Sequence, residues 1–350
     1  MATHEREITE PVDLCLHDGR LARAAVGWSR HPLHRGPVPG WGRRKRWEYW
    51  CVTTPTHLVA LTVSDLDYVA LNSVHVLRFD GGRPPREFER TALVPGALGV
   101  RLPEGIAGHP GSPPLLVGPE QPVRGQVRVE IGNEGTATRL RARCVDPEGR
   151  PVRVDLLAAL PEGHETLSVV VPWSERRFQY TSKHTARPAT GTVRIGDEVR
   201  TFGDDAWATL DHGRGRWPRR VEWNWGAAAG RTDGHVLGLQ LGGRWTDGTG
   251  STENAICVDG RISKIGREVE WRYSRRDPLR PWILRCDGPN QVELEFTPFH
   301  NRVVRTELGL IGNRTDQCFG HYSGTVRTDD GERILVDRLL GWAEDVRVRW

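Results

Sequence analysis

The sequence predicts an all-β protein built from two antiparallel β-barrels side by side, with few short helices. Apolar and polar residues alternate with a period of two in QVRVEI (126–131), EVEWRY (268–273) and QVELEF (291–296), which is typical of half-buried antiparallel strands. Turn signals such as Asp259-Gly260 and Asp330-Gly331 follow at short intervals, and the 350 residues include 40 Gly and 24 Pro. We expect barrels because closure removes exposed sheet edges and leaves room for one small ligand.

Few segments depart from this strand pattern. Residues 105–122 and 186–191 are rich in Pro and Gly and are interpreted as connections. The basic run GWGRRKRW (40–47) is interpreted as a solvated loop before a strand, and a net charge of +4 with interspersed signs indicates no nucleic-acid partner. The best helix candidates are residues 337–345 and a single turn near residues 95–99.

Two parts of the chain resemble each other, and the matched residues are about 175 positions apart, which is a usual domain size. This faint repeat predicts two β domains, an N-terminal barrel in residues 1–175 and a C-terminal barrel in residues 176–350. The matches are Trp50 with Trp225, HLVALTV (57–63) with HVLGLQL (235–241), and VHVLRFDGGR (74–83) with NAICVDGRI (254–262).

Composition excludes several classes of protein. The chain is 37% apolar and 27% charged, as in globular proteins, and no window is apolar enough to cross a bilayer as a helix. The six cysteines show no C-x-x-C spacing and the N-terminus has no apolar signal sequence, so we expect free thiols in the cytoplasm. Since metal-binding and phosphate-binding motifs are absent, we expect neither a metal nor a cofactor. The oligomeric state stays open.

The stretch TLDHGRGRWPRRVEWNWG (209–226) combines an acid, a histidine, four arginines and three tryptophans. A carboxyl group and an imidazole can exchange a proton with a substrate, and aromatic faces stabilise a nearby cation. Asp211 is therefore the candidate catalytic acid and His212 its orienting partner. In a regular strand the two side chains would point to opposite faces, so a shared cavity requires the strand to end or bulge near Gly213.

A structural role for this stretch is the alternative. An arginine that paired with Asp211 would hold the carboxyl group charged and make it a clamp on a turn. Lys183 and His184, in YTSKHT, are assigned to a surface loop or turn. The candidate substrate-binding residues are Trp207, Arg214, Trp217, Trp223, Asn224, Trp225, Glu253 and Asn254.

Several separated blocks resemble one family, and they occur in the right order. The resemblance extends over nearly the whole chain and is to the domain of unknown function 2804 family, whose name implies no activity. The blocks are GWSRHPLHR (27–35), RWEYWCVTTPTHLVALTVSDLDY (46–68), FQYTSKHTARPATGTVRI (178–195) and ENAICVDGRISKIG (253–266).

A more remote resemblance implies a chemistry. AWATLDHGRG followed by EWNWG is similar to the Asp-His and Trp-rich block of the carotenoid hydratases, which with the tocopherol cyclases are regarded as double lipocalin-like (calycin) proteins. This resemblance implies cofactor-free addition of water to an isoprenoid, or closure of its ring, after protonation of an alkene. It implies that Asp211, His212, Trp223 and Trp225 lie at the pocket.

We therefore expect a β-barrel pocket that binds an apolar or isoprenoid-like small molecule. Whether the protein is an enzyme stays open; if it is one, we expect cofactor-independent acid–base chemistry, namely hydration, cyclisation or isomerisation. One alternative is a non-catalytic carrier of a lipid or isoprenoid. The other is a carbohydrate-binding or carbohydrate-active β protein with tryptophan platforms and paired carboxylates such as Asp204 and Asp205, which predicts an open groove.

Overall fold

A computed structural model describes residues 5–79, 84–98, 100–288, 291–308 and 311–349. Most of these residues lie in strands, which form two curled, half-barrel antiparallel sheets and confirm the predicted all-β fold. The described residues contain two single-turn 3-10 helices, Arg23–Ala25 and Gly96–Leu98. They include no helix that is long and apolar enough to cross a membrane.

The described strands are numbered in chain order. They are β1 (Val12–Asp13), β2 (Trp28–Ser29), β3 (His34–Arg35), β4 (Arg44–Thr53), β5 (His57–Asp65), β6 (Val69–Arg78), β7 (Arg86–Pro95), β8 (Leu115–Val117), β9 (Val127–Asn133), β10 (Ala137–Val145), β11 (Pro151–Ala159), β12 (Leu167–Ser174), β13 (Arg177–Ile195), β14 (Glu198–Phe202), β15 (Trp207–Arg216), β16 (Arg220–Thr232), β17 (His235–Gly243), β18 (Asn254–Val258), β19 (Arg261–Ile265), β20 (Glu270–Arg272), β21 (Trp282–Cys286), β22 (Val292–Leu308), β23 (Ile311–Arg327) and β24 (Arg333–Arg349).

Contacts divide the chain into two compact units, each assembled from separate stretches of sequence. Unit 1 consists of the residues up to His34, Glu165–Ala186 and the residues from Arg216 onwards, and unit 2 consists of Arg35–His164 and Arg187–Gly215. Strand β13 therefore begins in unit 1 and ends in unit 2. The predicted division into one barrel before and one after residue 175 stays a prediction.

In unit 2 the strands pair in the order β7-β6-β5-β4-β15-β13-β11-β10-β9-β8, with β14 also beside β13. Trp50 and Val52 on β4, and Ala208 and Leu210 on β15, lie in the apolar core of this unit. Because side chains alternate between the two faces of a strand, these residues define the inner face of the sheet.

In unit 1 nine strands pair in the order β19-β18-β17-β16-β24-β23-β22-β21-β20. Strands β22, β23 and β24 each have 17 residues, so they form the long central part of this sheet. Trp282, Phe296 and Tyr322 are fully buried in its apolar core. A separate ladder joins β12 to the first part of β13 and to β2.

The repeated segments form the same meander in both units. Trp50 lies on β4 and Trp225 on β16, and the HLVALTV and HVLGLQL segments lie in β5 and β17. Three consecutive strands pair as antiparallel neighbours in each case, β4-β5-β6 in unit 2 and β16-β17-β18 in unit 1. The sequence repeat therefore corresponds to equivalent strands.

The helix predicted at residues 337–345 is wrong, because these residues belong to β24. The pairing of β24 with β23 shifts register at a bulge, where Arg338 has a φ of 48°. The bulge moves the core positions to Val336, Leu339 and Ala343. Their spacing of three and four residues imitates the apolar repeat of a helix.

The interpretation of residues 40–47 as a solvated loop is wrong for its second half, since β4 begins at Arg44. Lys45 is only 1% exposed, donates a hydrogen bond to Leu66 O at 2.9 Å and lies 4.3 Å from the centre of the Tyr68 ring. Burial lowers the pKa of Lys45 to about 8. This part of the basic run is therefore built into the sheet.

We predict that Gly341→Ala lowers the free energy of unfolding by about 1–3 kcal/mol, the usual cost of overpacking a core. A Cβ at residue 341 would lie 2.1 Å from Ala227 O on the neighbouring strand. Gly203→Ala is the control, since an added Cβ there meets nothing within 4 Å. Urea unfolding followed by tryptophan fluorescence measures both variants, and equal midpoints would contradict the close pairing of β16 with β24.

Candidate functional site

The predicted site residues fall into two groups, one in each unit. Unit 2 holds Trp207, Asp211, His212 and Arg214, which are all buried on β15. Unit 1 holds Trp217, Trp223, Asn224, Trp225, Glu253 and Asn254. The paired carboxylates Asp204 and Asp205 are exposed and precede β15.

Strand β15 continues through Gly213 to Arg216, so it does not end after the predicted catalytic pair. His212 therefore shares the inner face of unit 2 with Leu210, whereas Asp211 points to the opposite face. A shared cavity for both side chains required the strand to end near Gly213, and β15 continues past this residue. Of the two residues, His212 is the one that faces the apolar core.

Glu48 on β4 is the partner of His212, although the two residues are 164 positions apart. Its side chain is fully buried, and Oε1 accepts hydrogen bonds from His212 Nδ1 at 2.9 Å and from Ala107 N–H at 2.8 Å. Among the described residues, Glu48 Oε2 and Trp50 Nε1 are buried and have no hydrogen-bond partner. Glu48 and Trp50 are two residues apart on β4, so both belong to the inner face.

Guanidinium groups accompany this pair on the inner face. Arg187 is buried, donates hydrogen bonds of 2.5 and 2.7 Å to backbone oxygens of β11, and lies 5.0 Å from the centre of the Trp50 ring. Burial lowers the pKa of Arg187 to about 9. Burial also lowers the pKa of Arg46, and the charges of Arg44 and Arg214 act in the same direction. The Glu48 carboxyl group therefore shares this face with several cations.

A loop between β7 and β8, residues 100–109, lies over the inner face of unit 2. Leu102 in this loop packs into the apolar core. Arg46 donates two hydrogen bonds to backbone oxygens of the loop, one of them at 2.5 Å, and Glu48 accepts one from a loop N–H. Two β4 side chains therefore fasten the loop, and one of them also meets His212.

In unit 1 the assignment of Lys183 and His184 to a surface loop is wrong, because both are buried on β13. Lys183 Nζ lies 3.5 Å from Glu253 Oε2 and 4.2 Å from the centre of the Trp225 ring. Glu253 Oε1 accepts a hydrogen bond of 2.5 Å from Trp245 Nε1. The structure thus joins two predicted residues, Glu253 and Trp225, through a buried ion pair over an aromatic ring.

The other tryptophans of the predicted site pack against one another. The ring centroid of Trp217 lies 5.6 Å from that of Trp223 and 6.2 Å from that of Trp245. Trp217 Nε1 donates to Gln179 Oε1 at 2.6 Å, so its polar atom is satisfied within the protein. These contacts favour a packing role for the cluster, as is usual for buried tryptophans whose N–H has an acceptor.

The two predicted asparagines are each 1% exposed and serve different contacts. Asn254 Oδ1 accepts a hydrogen bond of 2.6 Å from Gly242 N–H, which ties the start of β18 to β17. Asn224 Nδ2 donates to the Tyr273 hydroxyl at 3.0 Å and to Glu344 O at 3.1 Å. Asn254 thus binds a backbone N–H, whereas Asn224 binds the side chain of Tyr273, and both Asn224 and Tyr273 line a cleft.

Reasoning from the sequence missed Glu48 and Arg187. In WEYWCV the alternation places Glu48 on the same face as Trp50 and Val52, and a carboxylate at such an inward position was the available signal. Arg187 offers no comparable signal, because it follows Ala186, whose φ of 57° interrupts the alternation of β13.

The strands and the buried carboxylate–imidazole pair define an all-β protein that holds ionisable groups on the inner face of a half-barrel. The chain belongs to the family described as domain of unknown function DUF2804, whose model matches residues 5–350. The family predicted from the sequence blocks is confirmed. No curated protein matches the sequence.

Several solved structures are similar to this chain at low sequence identity. The crystal structure of CghA is 12% identical, covers 87% of this chain and 88% of its own, and has a TM-score of 0.47. An AttH candidate from Nitrosomonas europaea is 12% identical, with coverage of 88% and 92% and a TM-score of 0.43. Kievitone hydratase from Nectria haematococca is 9% identical, with coverage of 87% and 88% and a TM-score of 0.42.

We predict that Lys183→Met lowers the free energy of unfolding by about 3–5 kcal/mol, because it leaves the Glu253 carboxylate buried without its counter-charge. Arg272→Gln is the control, since it removes one partner of an exposed ion pair with Glu270 and should leave stability unchanged. Urea unfolding measures both. Similar unfolding midpoints for the two variants would contradict the role assigned to the buried pair.

Proposed function

We propose that the protein binds a largely apolar small molecule on the inner face of unit 2, beside Glu48 and His212, and transfers protons to and from it without a cofactor. The observation that supports this most strongly is the fully buried Glu48 carboxyl group. One of its oxygens meets His212 and the loop, and the other has no partner among the described residues. Buried polar atoms in folded proteins are almost always hydrogen-bonded, so an atom of this kind marks a place for a ligand group or a water.

Two unsatisfied groups on one strand suggest how such a ligand binds. One residue separates Glu48 from Trp50 on β4, so their Cα atoms are about 6.6 Å apart. Trp50 Nε1 can donate a hydrogen bond to a carbonyl or hydroxyl oxygen, and Glu48 Oε2 can meet a neighbouring carbon or oxygen of the same molecule. The remaining contacts would come from the apolar core side chains, such as Leu210 and Val52.

The cations on the inner face decide between two kinds of acid–base chemistry. A carbocation would be disfavoured beside Trp50, because the Arg187 guanidinium already lies 5.0 Å from this ring. An enolate or another developing anion would be stabilised by the same charge. Hydration or isomerisation of a carbonyl compound therefore fits this face better than ring closure through a cation.

The Glu48–His212 hydrogen bond supplies a path for the proton. In the isomerisation of a β,γ-unsaturated carbonyl compound, the pair removes a proton from the carbon between the carbonyl group and the double bond. Glu48 then returns a proton to the far carbon of the resulting dienolate, which moves the double bond into conjugation with the carbonyl group. In a hydration, water adds to the far carbon of a double bond that is conjugated with a carbonyl group, and His212 or Glu48 takes the proton that water loses. The pair then returns a proton to the carbon next to the carbonyl group. Groups held within 2.9 Å of each other satisfy the geometry that proton transfer requires.

This proposal assigns the acid role to Glu48 rather than to Asp211 and keeps His212 as its partner. A small molecule is the one partner that the proposal requires. The six cysteines, of which five are buried, form no disulfide bond in the described residues, which fits a reducing compartment such as the cytoplasm.

We predict that wild-type protein retains a stoichiometric small-molecule adduct in native mass spectrometry and that Glu48→Gln binds the same extracted molecule about tenfold or more weakly. Glu87→Gln is the matched control, because Glu87 also pairs with a histidine, His75 at 2.8 Å, on the opposite face of the sheet of unit 2. Organic extraction then identifies the adduct, and its recovery before and after incubation with protein measures turnover.

Each outcome separates the candidate functions. A molecule that binds in a Glu48-dependent way and is returned unchanged would identify a carrier. Equal affinities of the Glu48→Gln variant and wild type would show that the pair is structural. Absence of any adduct, together with no mass shift on adding lipids and isoprenoids, would exclude both the enzyme and the carrier.

A further inference from the structure

A cleft of about 560 Å³ lies in unit 1, whereas Glu48 and His212 belong to unit 2. Its size is within the range of small-molecule sites. Charged, amide and aromatic side chains line it together, including those of Asn224, Arg244, Asp247, Glu268, Trp271 and Tyr273.

Ion pairs hold the two arginines of the cleft in place. Asp345 is buried and accepts contacts from Arg244 NH1 at 2.9 Å and from Arg275 Nε at 3.2 Å. Glu222 lies 2.6 Å from Arg244 and 3.3 Å from Arg275. Both cations of the cleft thus have two carboxylates each. Their charges are neutralised, while their remaining N–H groups can still donate hydrogen bonds.

The backbone at Arg244 is held in an uncommon conformation. Arg244 has a φ of 73°, in the left-handed region that residues other than glycine rarely adopt. Its N–H donates to Asp247 Oδ1 at 3.0 Å, so a second cleft residue stabilises the turn. Conformations of this kind persist where surrounding contacts enforce them and are frequent at binding sites.

The aromatic residues of the cleft are seated by specific contacts. A Cβ at Gly243 would lie 2.9 Å from Trp271 Nε1, so the absence of a side chain there makes room for the indole. Tyr273 stacks on Trp282 with a centroid distance of 4.0 Å, and its hydroxyl accepts the hydrogen bond from Asn224. The cleft therefore combines fixed aromatic surface with fixed donors and acceptors.

We propose that this cleft binds a neutral, polyhydroxylated ligand, namely a sugar the size of a monosaccharide or disaccharide. A ligand with many hydroxyl groups uses donors such as Asn224 and acceptors such as Glu268 together, and its C–H faces pack on aromatic rings such as Trp271. Anions are disfavoured because the two arginines already have carboxylate partners and further carboxylates line the cleft. Hydrocarbons are disfavoured because they would bury these charged groups without hydrogen bonds.

The test is saturation-transfer difference NMR with glucose, galactose, maltose and cellobiose as probes, each titrated against wild-type protein, and with glucose 6-phosphate as an anionic comparison. Glu268→Gln should weaken binding of the responding sugar about tenfold, since it replaces a charged acceptor by a neutral one. Glu295→Gln, at an exposed position on β22 outside the cleft, should bind as wild type does. Glu48→Gln should also bind as wild type does, which separates this site from the one proposed in unit 2.

The proposal would be overturned by any of three results. These are no saturation transfer to any of the four sugars, equal binding by the Glu268→Gln variant and wild type, and a preference for glucose 6-phosphate over glucose. The third result would show that the cleft selects an anion and that its arginines are free to bind one.

Discussion

A carboxyl group without exposed surface must find hydrogen-bond donors inside the protein, and in unit 2 this requirement falls on Glu48. Its Oε1 atom joins three parts of the chain, namely β4, β15 through His212, and the loop through Ala107 N–H. The hydrogen bonds of Glu48 therefore connect β4 to β15 and hold the loop of residues 100–109 over the core. This arrangement also leaves the second carboxyl oxygen on the inner face.

Unit 1 meets the same requirement in a different way. Lys183 and Glu253 neutralise each other beside the Trp225 ring, and the Trp245 indole donates a hydrogen bond to the carboxylate. The two units repeat one strand meander, yet one buries a matched ion pair and the other a carboxylate with an imidazole. Because of this difference, we propose that proton transfer takes place in unit 2 and that Glu253 stabilises unit 1.

Much of the fold could be predicted from the sequence, because alternation of side chains within a strand is a local property. Prediction from this alternation failed at β24, where a bulge at Arg338 gives the apolar residues a spacing like that of a helix. The site was less predictable, because it depends on which strands become neighbours. His212 was found from its local motif, whereas Glu48 is 164 residues away and becomes its partner only when β4 pairs beside β15.

The measurement that tests the central claim most directly is a crystal structure of the protein purified without removal of bound small molecules. The account predicts electron density for an organic molecule on the inner face of unit 2, within hydrogen-bond distance of Glu48 Oε2 and Trp50 Nε1. An inner face filled by protein side chains alone, with Glu48 Oε2 bonded to one of them, would contradict it.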